Sequence, residues 1–154
     1  MDMERLDRVL RRVRGEENAI CADDDRRRLE ALIRGEETSR AAYGWLRNRC
    51  SGRPRAVLTQ LWTEEDRHYR DLQAEYLARF GNTLPQETVS MTRNIGVLSA
   101  LGRLREEEHA AVEEYLRGSR ETGDHRLRLL FEKHAREEEQ HAKKLTELLH
   151  LGMR

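Results

Sequence analysis

Hydrophobic residues recur every three or four positions in four long stretches of this chain. In the first stretch the stripe is Leu29, Leu32, Ile33, Tyr43 and Leu46. This spacing is typical of an amphipathic helix that turns its apolar face towards a core. We predict a helix that begins at residues 23–25, where three aspartates provide an N-cap and acidic first-turn residues, and ends near Asn48.

Three further helices are predicted from the same spacing and from the turn residues that separate them. The second predicted helix covers residues 54–80. The third begins at residues 90–92 and ends near residue 116. The fourth follows the turn at residues 118–124 and ends near residue 151. Their apolar stripes are Leu58, Leu61, Leu72 and Tyr76 in the second helix, Leu98, Leu101, Leu104, Val112 and Tyr115 in the third, and Leu127, Leu130, Phe131, Leu145 and Leu148 in the fourth.

The connections between these helices differ in length. The first and third are short, so each is expected to join an antiparallel hairpin. The middle connection has roughly a dozen residues, which span about 40 Å when extended. That length permits either a crossover along the bundle or a simple hairpin. Residues 23–154 therefore predict an all-α four-helix bundle.

Residues 1–22 form a separate predicted segment. Apolar residues alternate with arginines over residues 1–14, which indicates a short amphipathic helix, and residues 15–23 are predicted to be a loop. A basic amphipathic helix packs on a membrane surface or on a protein partner. We favour docking on its own domain or on a second subunit, so a homodimer is the expected assembly. The apolar residues are Leu6, Val9, Leu10 and Val13.

Composition narrows the class of protein. Charged residues make up 38% of the 154 residues, with 29 basic and 29 acidic side chains, and aromatic residues make up only 5%. A β-sandwich needs more aromatic and β-branched residues, and a nucleic-acid-binding protein usually carries a basic excess. No apolar run reaches the roughly 18 residues that span a bilayer. Cys21 and Cys50 form no paired metal or redox motif, so we expect a cytoplasmic protein without nucleic-acid or membrane partners.

The two halves of the chain carry a matching pattern of polar residues. A glutamate, a small residue three positions later and a tyrosine seven positions later occur in helices one and three, and Glu-x-x-His occurs in helices two and four. We interpret this pattern as a duplicated helical hairpin over residues 25–80 and 92–151. The matched residues are Glu36, Ser39 and Tyr43 with Glu108, Ala111 and Tyr115, and Glu65 and His68 with Glu138 and His141.

Each of these four glutamates interrupts the apolar stripe of its helix, and the two histidines lie one turn later on the same face. Four carboxylates buried together are prohibitively unfavourable without compensating positive charge. Two divalent metal ions would supply that charge, and mixed oxygen and nitrogen ligation suits iron or manganese. Calcium and magnesium sites do not normally include histidine. The predicted ligands are Glu36, Glu65, His68, Glu108, Glu138 and His141, with two iron ions per chain and manganese as the alternative metal.

This order of motifs resembles that of the ferritin-like dimetal carboxylate proteins, in which two helices each supply a glutamate and two supply Glu-x-x-His. The resemblance is strongest to the rubrerythrin-type proteins and covers residues 25–150. It implies the crossover that connection length left open. The roles that it implies are bridging carboxylates for Glu65 and Glu138, terminal carboxylates for Glu36 and Glu108, one nitrogen ligand per metal for His68 and His141, and hydrogen-bonding or radical-relay tyrosines for Tyr43 and Tyr115.

The resemblance also implies a function. A di-iron centre of this type is oxidised by hydrogen peroxide or dioxygen, in defence against oxidative stress. The sequence contains no four-cysteine rubredoxin motif, so electrons are expected from an external donor protein or a small reductant. Neither Arg105 nor Ala111 can provide the additional carboxylate that rubrerythrins carry on the third helix. The alternatives are a ferroxidase or iron-handling protein that needs only ferrous iron, and a metal-free structural bundle.

Some neighbouring residues leave the ligand assignment open. His134 lies one turn before Glu138, where the first half of the chain has Leu61. We interpret His134 as a half-buried histidine with satisfied hydrogen bonds, and an additional ligand or hydrogen-bond donor is the alternative. The stripe and the repeat favour the named ligands over their neighbours, which are Glu37 for Glu36, Glu64 for Glu65, and Glu106 or Glu107 for Glu108.

Overall fold

The computed structural model describes the backbone of residues 3–91 and 94–152, and the side chains of these ranges except those of residues 3–8 and 16–21. Within the described ranges the chain is all-helical and contains no strand. The four helices are α1, Met3–Arg47; α2, Gly52–Phe80; α3, Val97–Glu121; and α4, His125–His150. These helices pack together, which confirms the prediction of an all-α bundle. None of the described helices is long and apolar enough to cross a membrane.

Local sequence explains where α2 and α4 begin and end. Pro54 lies in the first turn of α2, where its missing N–H group has no helical partner to lose. Gly81 ends the same helix with a left-handed φ of 79°, and its N–H donates to the carbonyl of Leu77. Asp124 caps α4 by accepting a 2.9 Å hydrogen bond from the N–H of Leu127. The predicted end of the second helix and the predicted start of the fourth are therefore confirmed.

Contacts between side chains give the directions of the helices. The hydroxyl of Tyr76 donates to Glu30 at 2.7 Å, and Arg40 donates to Asp66 at 2.8 Å, so α1 and α2 are antiparallel. Tyr43 bonds Glu108 and Tyr115 bonds Glu36, so α1 and α3 are antiparallel as well. It follows that α2 and α3 are parallel.

The segment between α2 and α3 travels from one end of the bundle to the other, because the two helices that it joins are parallel. The N–H of Leu84 donates to Gln73 on α2, and the carbonyl of Pro85 accepts a 2.7 Å hydrogen bond from Arg34 on α1. Further along, Met91 and Ile95 pack against the apolar cluster at the far end. The described part of the segment therefore contacts α2 and α1 near its start and the apolar cluster near its end.

The predicted bounds of the third helix are wrong at both ends. Ser90 lies outside any helix and α3 begins at Val97 (Thr92, the other predicted start, lies outside the described residues). Met91 and Ile95, which precede α3, pack against the apolar cluster built around Tyr43 and Leu101. At the other end α3 continues through Gly118 to Glu121, because this glycine is buried in a close helix contact rather than placed in a turn.

The predicted loop over residues 15–23 is also wrong. The backbone of α1 is helical without interruption from Met3 to Arg47, so the N-terminal segment and the first bundle helix are one helix of 45 residues. Residues 15–23 contain one glycine, Gly15, and no proline. A single glycine disfavours a helix by only about 1 kcal/mol, which does not break it.

The first part of α1 extends beyond the bundle. Asp25 is the first buried side chain of α1 among those described, so residues 3–24 extend about 33 Å from it at 1.5 Å per residue. Val9, Leu10 and Val13 are 52%, 44% and 42% exposed. The expected docking of this stripe on its own domain is therefore wrong for these three residues, whereas Leu6 lies outside the described side chains.

The core consists of two apolar clusters, one on each side of the middle of the bundle. The first cluster is built around Tyr43, Leu46, Leu61 and Leu101, and the second around Ile33, Leu72, Tyr115 and Phe131. The polar residues that interrupt the apolar stripes lie between these clusters. The fold thus encloses them with hydrocarbon at both ends.

Candidate metal centre

Every helix of the bundle contributes an acidic side chain to one buried cluster. The exposed fractions of Glu36, Glu65, Glu108 and Glu138 are 4%, 1%, 1% and 1%. His68 and His141, one turn after the glutamates of α2 and α4, are fully buried. The structure brings all six sequence-predicted ligands together, because each interrupts the apolar stripe that faces the core.

The ligand atoms of these residues fall into two overlapping groups. In each group one atom from each of four residues lies within 4.8 Å of the others, a spacing compatible with a single ion. Glu65 and Glu138 occur in both groups, so their carboxylates lie between the two positions. The first group, which we call the Glu36 position, is Glu36, Glu65, His68 and Glu138, and the second, the Glu108 position, is Glu65, Glu108, Glu138 and His141.

The inward-facing atoms of this cluster have no hydrogen-bond partner among the described residues. For example, Nδ1 of His141 lies 2.6 Å from Glu65 Oε1 and 3.0 Å from Glu138 Oε2, yet it makes no hydrogen bond. Buried polar atoms in proteins are nearly always satisfied, so atoms that converge without partners fit a bound cation. The atoms concerned are Glu36 Oε2, Glu65 Oε1, His68 Nδ1, Glu108 Oε2, both carboxylate oxygens of Glu138 and His141 Nδ1.

Two outer glutamates orient the imidazole rings, a role that the spacing of the ligands along the sequence does not indicate. Glu137 lies 2.8 Å from Nε2 of His68, and Glu64 lies 2.7 Å from Nε2 of His141. Each contact joins the two halves of the repeat and turns Nδ1 of the histidine towards the cluster. An outer carboxylate of this kind fixes the ring orientation of a metal-binding histidine. The available signal was the glutamate that immediately precedes each Glu-x-x-His motif.

The two tyrosines hold the terminal glutamates across the bundle. The hydroxyl of Tyr43 on α1 donates to Glu108 of α3 at 2.6 Å, and that of Tyr115 on α3 donates to Glu36 of α1. Each tyrosine therefore bonds the carboxylate of the opposite hairpin. Both rings are fully buried, so each hydroxyl fixes one carboxylate oxygen and leaves the other facing the cluster.

In the metal-free protein, protons bound to side chains of the cluster neutralise part of its negative charge. Burial, reinforced by neighbouring carboxylates, raises the pKa of Glu65 and of Glu108 well above the ordinary value. Burial opposes the charge of His68, but the carboxylates of Glu137 and Glu138 outweigh it and raise the pKa of His68 to about 12. Burial disfavours the charge of Glu138, but the adjacent imidazoles outweigh this effect and lower the pKa of that carboxyl well below its ordinary value.

The neighbouring acidic residues face elsewhere. Glu37 is buried, but it forms an ion pair with Arg34 at 2.8 Å and accepts a hydrogen bond from the N–H of Glu87. Glu106 and Glu107 are exposed. The geometry therefore places none of these alternatives in the cluster.

His134 is buried next to the Glu36 position. Its ring stacks on that of His68 with 4.2 Å between centroids, and its exposed fraction is 0%. Nδ1 lies 3.2 Å from the hydroxyl of Tyr115 and Nε2 lies 3.2 Å from Asp71. The interpretation as a histidine with satisfied hydrogen bonds fits this geometry, although the ring is fully rather than half buried.

A groove of about 790 Å³ between α1 and α3 leads to the cluster. Its floor includes Glu36, Glu138 and Tyr115, and its walls include Ser39 and Ala111, the small residues of the repeat. The side chains of Ser39 and Ala111 are short, and the groove lies directly beside the two carboxylates.

Compared with protein-family models, curated proteins and solved structures, the chain matches none.

Proposed function

We propose that this protein is a ferritin-like di-iron carboxylate oxidoreductase of the rubrerythrin type, which reduces hydrogen peroxide with electrons from an external donor. The observation that carries the proposal is the convergence of seven unpartnered buried atoms, from six residues, on two overlapping positions. A structural bundle gains nothing from such a cluster, because each unsatisfied buried polar atom costs about 1–3 kcal/mol.

The donor set favours iron, with manganese as the alternative. Four carboxylates and two imidazoles provide mixed oxygen and nitrogen ligation for two divalent ions. With two ferrous ions bound, the centre would supply the two electrons that, together with two protons, convert one hydrogen peroxide molecule to two water molecules.

The residues around the centre have separate tasks in this proposal. Tyr43 and Tyr115 orient the terminal carboxylates, and Glu64 and Glu137 orient the imidazoles. The apolar clusters on both sides exclude bulk water. The groove beside Ala111 admits the peroxide. Holding the ligands in place before the substrate arrives reduces the rearrangement needed during the reaction.

Stopped-flow mixing of the anaerobically prepared di-ferrous protein tests the proposal. We expect rapid oxidation by hydrogen peroxide and much slower oxidation by dioxygen, followed by absorbance of the ferric product. Glu139→Ala, at an exposed acidic residue beside the site, is the matched control and should behave like the unmodified protein. Faster oxidation by dioxygen would favour a ferroxidase instead, and no oxidation by either reagent would contradict the proposed class.

A further inference from the structure

The repeat is broken at one buried position beside the centre. His134 on α4 corresponds to Leu61 on α2 at the same offset of 73 residues that relates His141 to His68. Both residues are fully buried. The two halves therefore supply the same ligands but surround them differently.

This difference falls on one metal position only. The hydroxyl of Tyr115 contacts both Glu36 and Nδ1 of His134. Tyr43, its counterpart in the first half, belongs to the apolar cluster that contains Leu61 and hydrogen-bonds Glu108. The Glu36 position thus has a polar neighbour, His134, that the repeat does not reproduce at the Glu108 position.

The contacts of His134 indicate that it positions the ligands of an ion and does not itself bind the ion. Its nitrogen atoms lie near enough to Glu36 and His68 for the three residues to form a possible metal-binding group. Both ring nitrogens of His134, however, already face other groups at 3.2 Å, Nδ1 the hydroxyl of Tyr115 and Nε2 the carboxylate of Asp71. Nδ1 of His68, in contrast, has none.

We propose that His134 makes the two metal positions unequal, by holding Tyr115 and the ring of His68 in place so that the Glu36 position binds its ion more tightly and first. This inference rests on the proposed metal centre. His134 stacks on His68 with an angle of 26° between the rings and meets Tyr115 edge-on at 88°. Two ligands of the same position, His68 directly and Glu36 through Tyr115, are thereby restrained. Restrained ligands lose less freedom when the ion binds, so the affinity rises.

Ferrous-ion titrations under anaerobic conditions test the role of His134 at each position separately. Glu108→Ala leaves the Glu36 position as the complete one, and Glu36→Ala leaves the Glu108 position. In the Glu108→Ala background, His134→Leu, which reproduces Leu61, should weaken binding by about tenfold to a hundredfold, as expected for loss of a residue that orients ligands. In the Glu36→Ala background the same substitution should leave the affinity unchanged.

A second variant distinguishes loss of the His134 contacts from a folding defect. Asp71 is partly exposed, so Asp71→Ala can remove the outer contact of His134 without opening a cavity. It should also weaken binding in the Glu108→Ala background and not in the Glu36→Ala background, with unchanged helical circular dichroism. Equal effects in both backgrounds, or no effect in either, would overturn the role of His134. Absence of ferrous-ion binding by the unmodified protein would instead refute the metal centre itself.

Discussion

Glu64 and Glu137 show how a partly exposed carboxylate can control a buried imidazole. The hydrogen bond with His141 lowers the pKa of Glu64 to about 2. Burial disfavours the charge of Glu137, but the contacts with His68 and Arg67 prevail and lower its pKa to about 2. Both acids are therefore ionised at neutral pH. Each accepts from Nε2 of its histidine and leaves Nδ1 to a metal ion.

Replacing either outer glutamate should weaken metal binding without removing a ligand. Glu64→Ala and Glu137→Ala are each expected to lower ferrous-ion affinity by about tenfold to a hundredfold, measured by competition with a chelator. Glu139→Ala is the control, because this side chain is 57% exposed and pairs only with Lys143 among the described residues. The same loss of affinity in all three variants would contradict the orienting role.

Metal binding should become stronger as pH rises. The pKa of His68 is about 12, so the metal-free site retains a proton at neutral pH, and the raised pKa values of Glu65 and Glu108 favour their protonated forms as well. An ion must displace these protons, because it binds the deprotonated ligands. Anaerobic ferrous-ion titrations at pH 6.0 and 7.5 (about a 30-fold difference in proton activity) should show higher affinity at the higher pH and release of protons. Equal affinity at the two values would oppose this account of the site.

Single residues also show what periodicity could and could not predict. Glu36 and Glu108 were identifiable because each occupies an apolar position on its own helix. Glu64 and Glu137 lie one residue outside that stripe, about 100° around the helix. Their partners are in the other half of the chain, and no spacing along one helix indicates such a contact.

Helix α3 illustrates how close packing determines the extent of an element. A Cβ atom on Gly118 would lie 2.7 Å from Cδ of Arg28 and 3.1 Å from the ring of Phe131. Arg28 is held by ion pairs to Asp25 and Glu121, and Phe131 is fully buried. The glycine is therefore needed for the approach of α1, α3 and α4, and it does not end the helix.

Two glycines of α3 should respond oppositely to alanine. Gly118→Ala should lower the free energy of unfolding by about 1–3 kcal/mol, because the added methyl group overpacks the contact. Gly102→Ala should raise it by up to about 1 kcal/mol, since no described atom beyond the adjacent residues and backbone of α3 lies within 4 Å of the new Cβ. Urea unfolding of the metal-free variants measures both values. A stabilising Gly118→Ala would contradict the packing described for this helix.

The facing walls of α1 and α3 should control access to the centre. Ala111→Trp would fill the groove beside Glu36 and Glu138, so we expect slower ferrous-ion uptake and slower reaction with peroxide. The affinity at equilibrium should change little. Ala56→Trp, at an exposed alanine of α2, is the matched control. Unchanged uptake in Ala111→Trp would show that small molecules reach the centre by another route.

Helix boundaries were predictable where local chemistry decides them. Pro54, Gly81 and Asp124 set the ends of α2 and the start of α4 through their own backbone and side-chain groups. The start of α3 and the continuity of α1 could not be predicted in this way. Met91 and Ile95 pack against a cluster formed by distant parts of the chain before α3 begins, and α1 continues through Gly15 without a break.

At the scale of the whole molecule, the balance of 29 acidic and 29 basic residues conceals an uneven distribution of charge. Arginines pair with acids on the outer faces, as in the 2.8 Å contact of Arg40 with Asp66. Among the described residues, the four glutamates at the centre face one another and make ion contacts with two imidazoles rather than with arginine or lysine. The repeat made this arrangement predictable in outline. The sequence also showed His134 in place of Leu61, but its contacts with Tyr115 and His68 emerged only from the structure.

Metal stoichiometry tests the central claim most directly. Protein produced without chelator or added nickel, loaded anaerobically with ferrous iron and freed of excess metal, should contain two iron ions per chain by elemental analysis. Glu65→Ala and Glu138→Ala should each lose both ions, because these carboxylates belong to both positions, while Glu139→Ala should retain them. Absence of bound iron and manganese in the unmodified, folded protein at neutral pH would contradict the account.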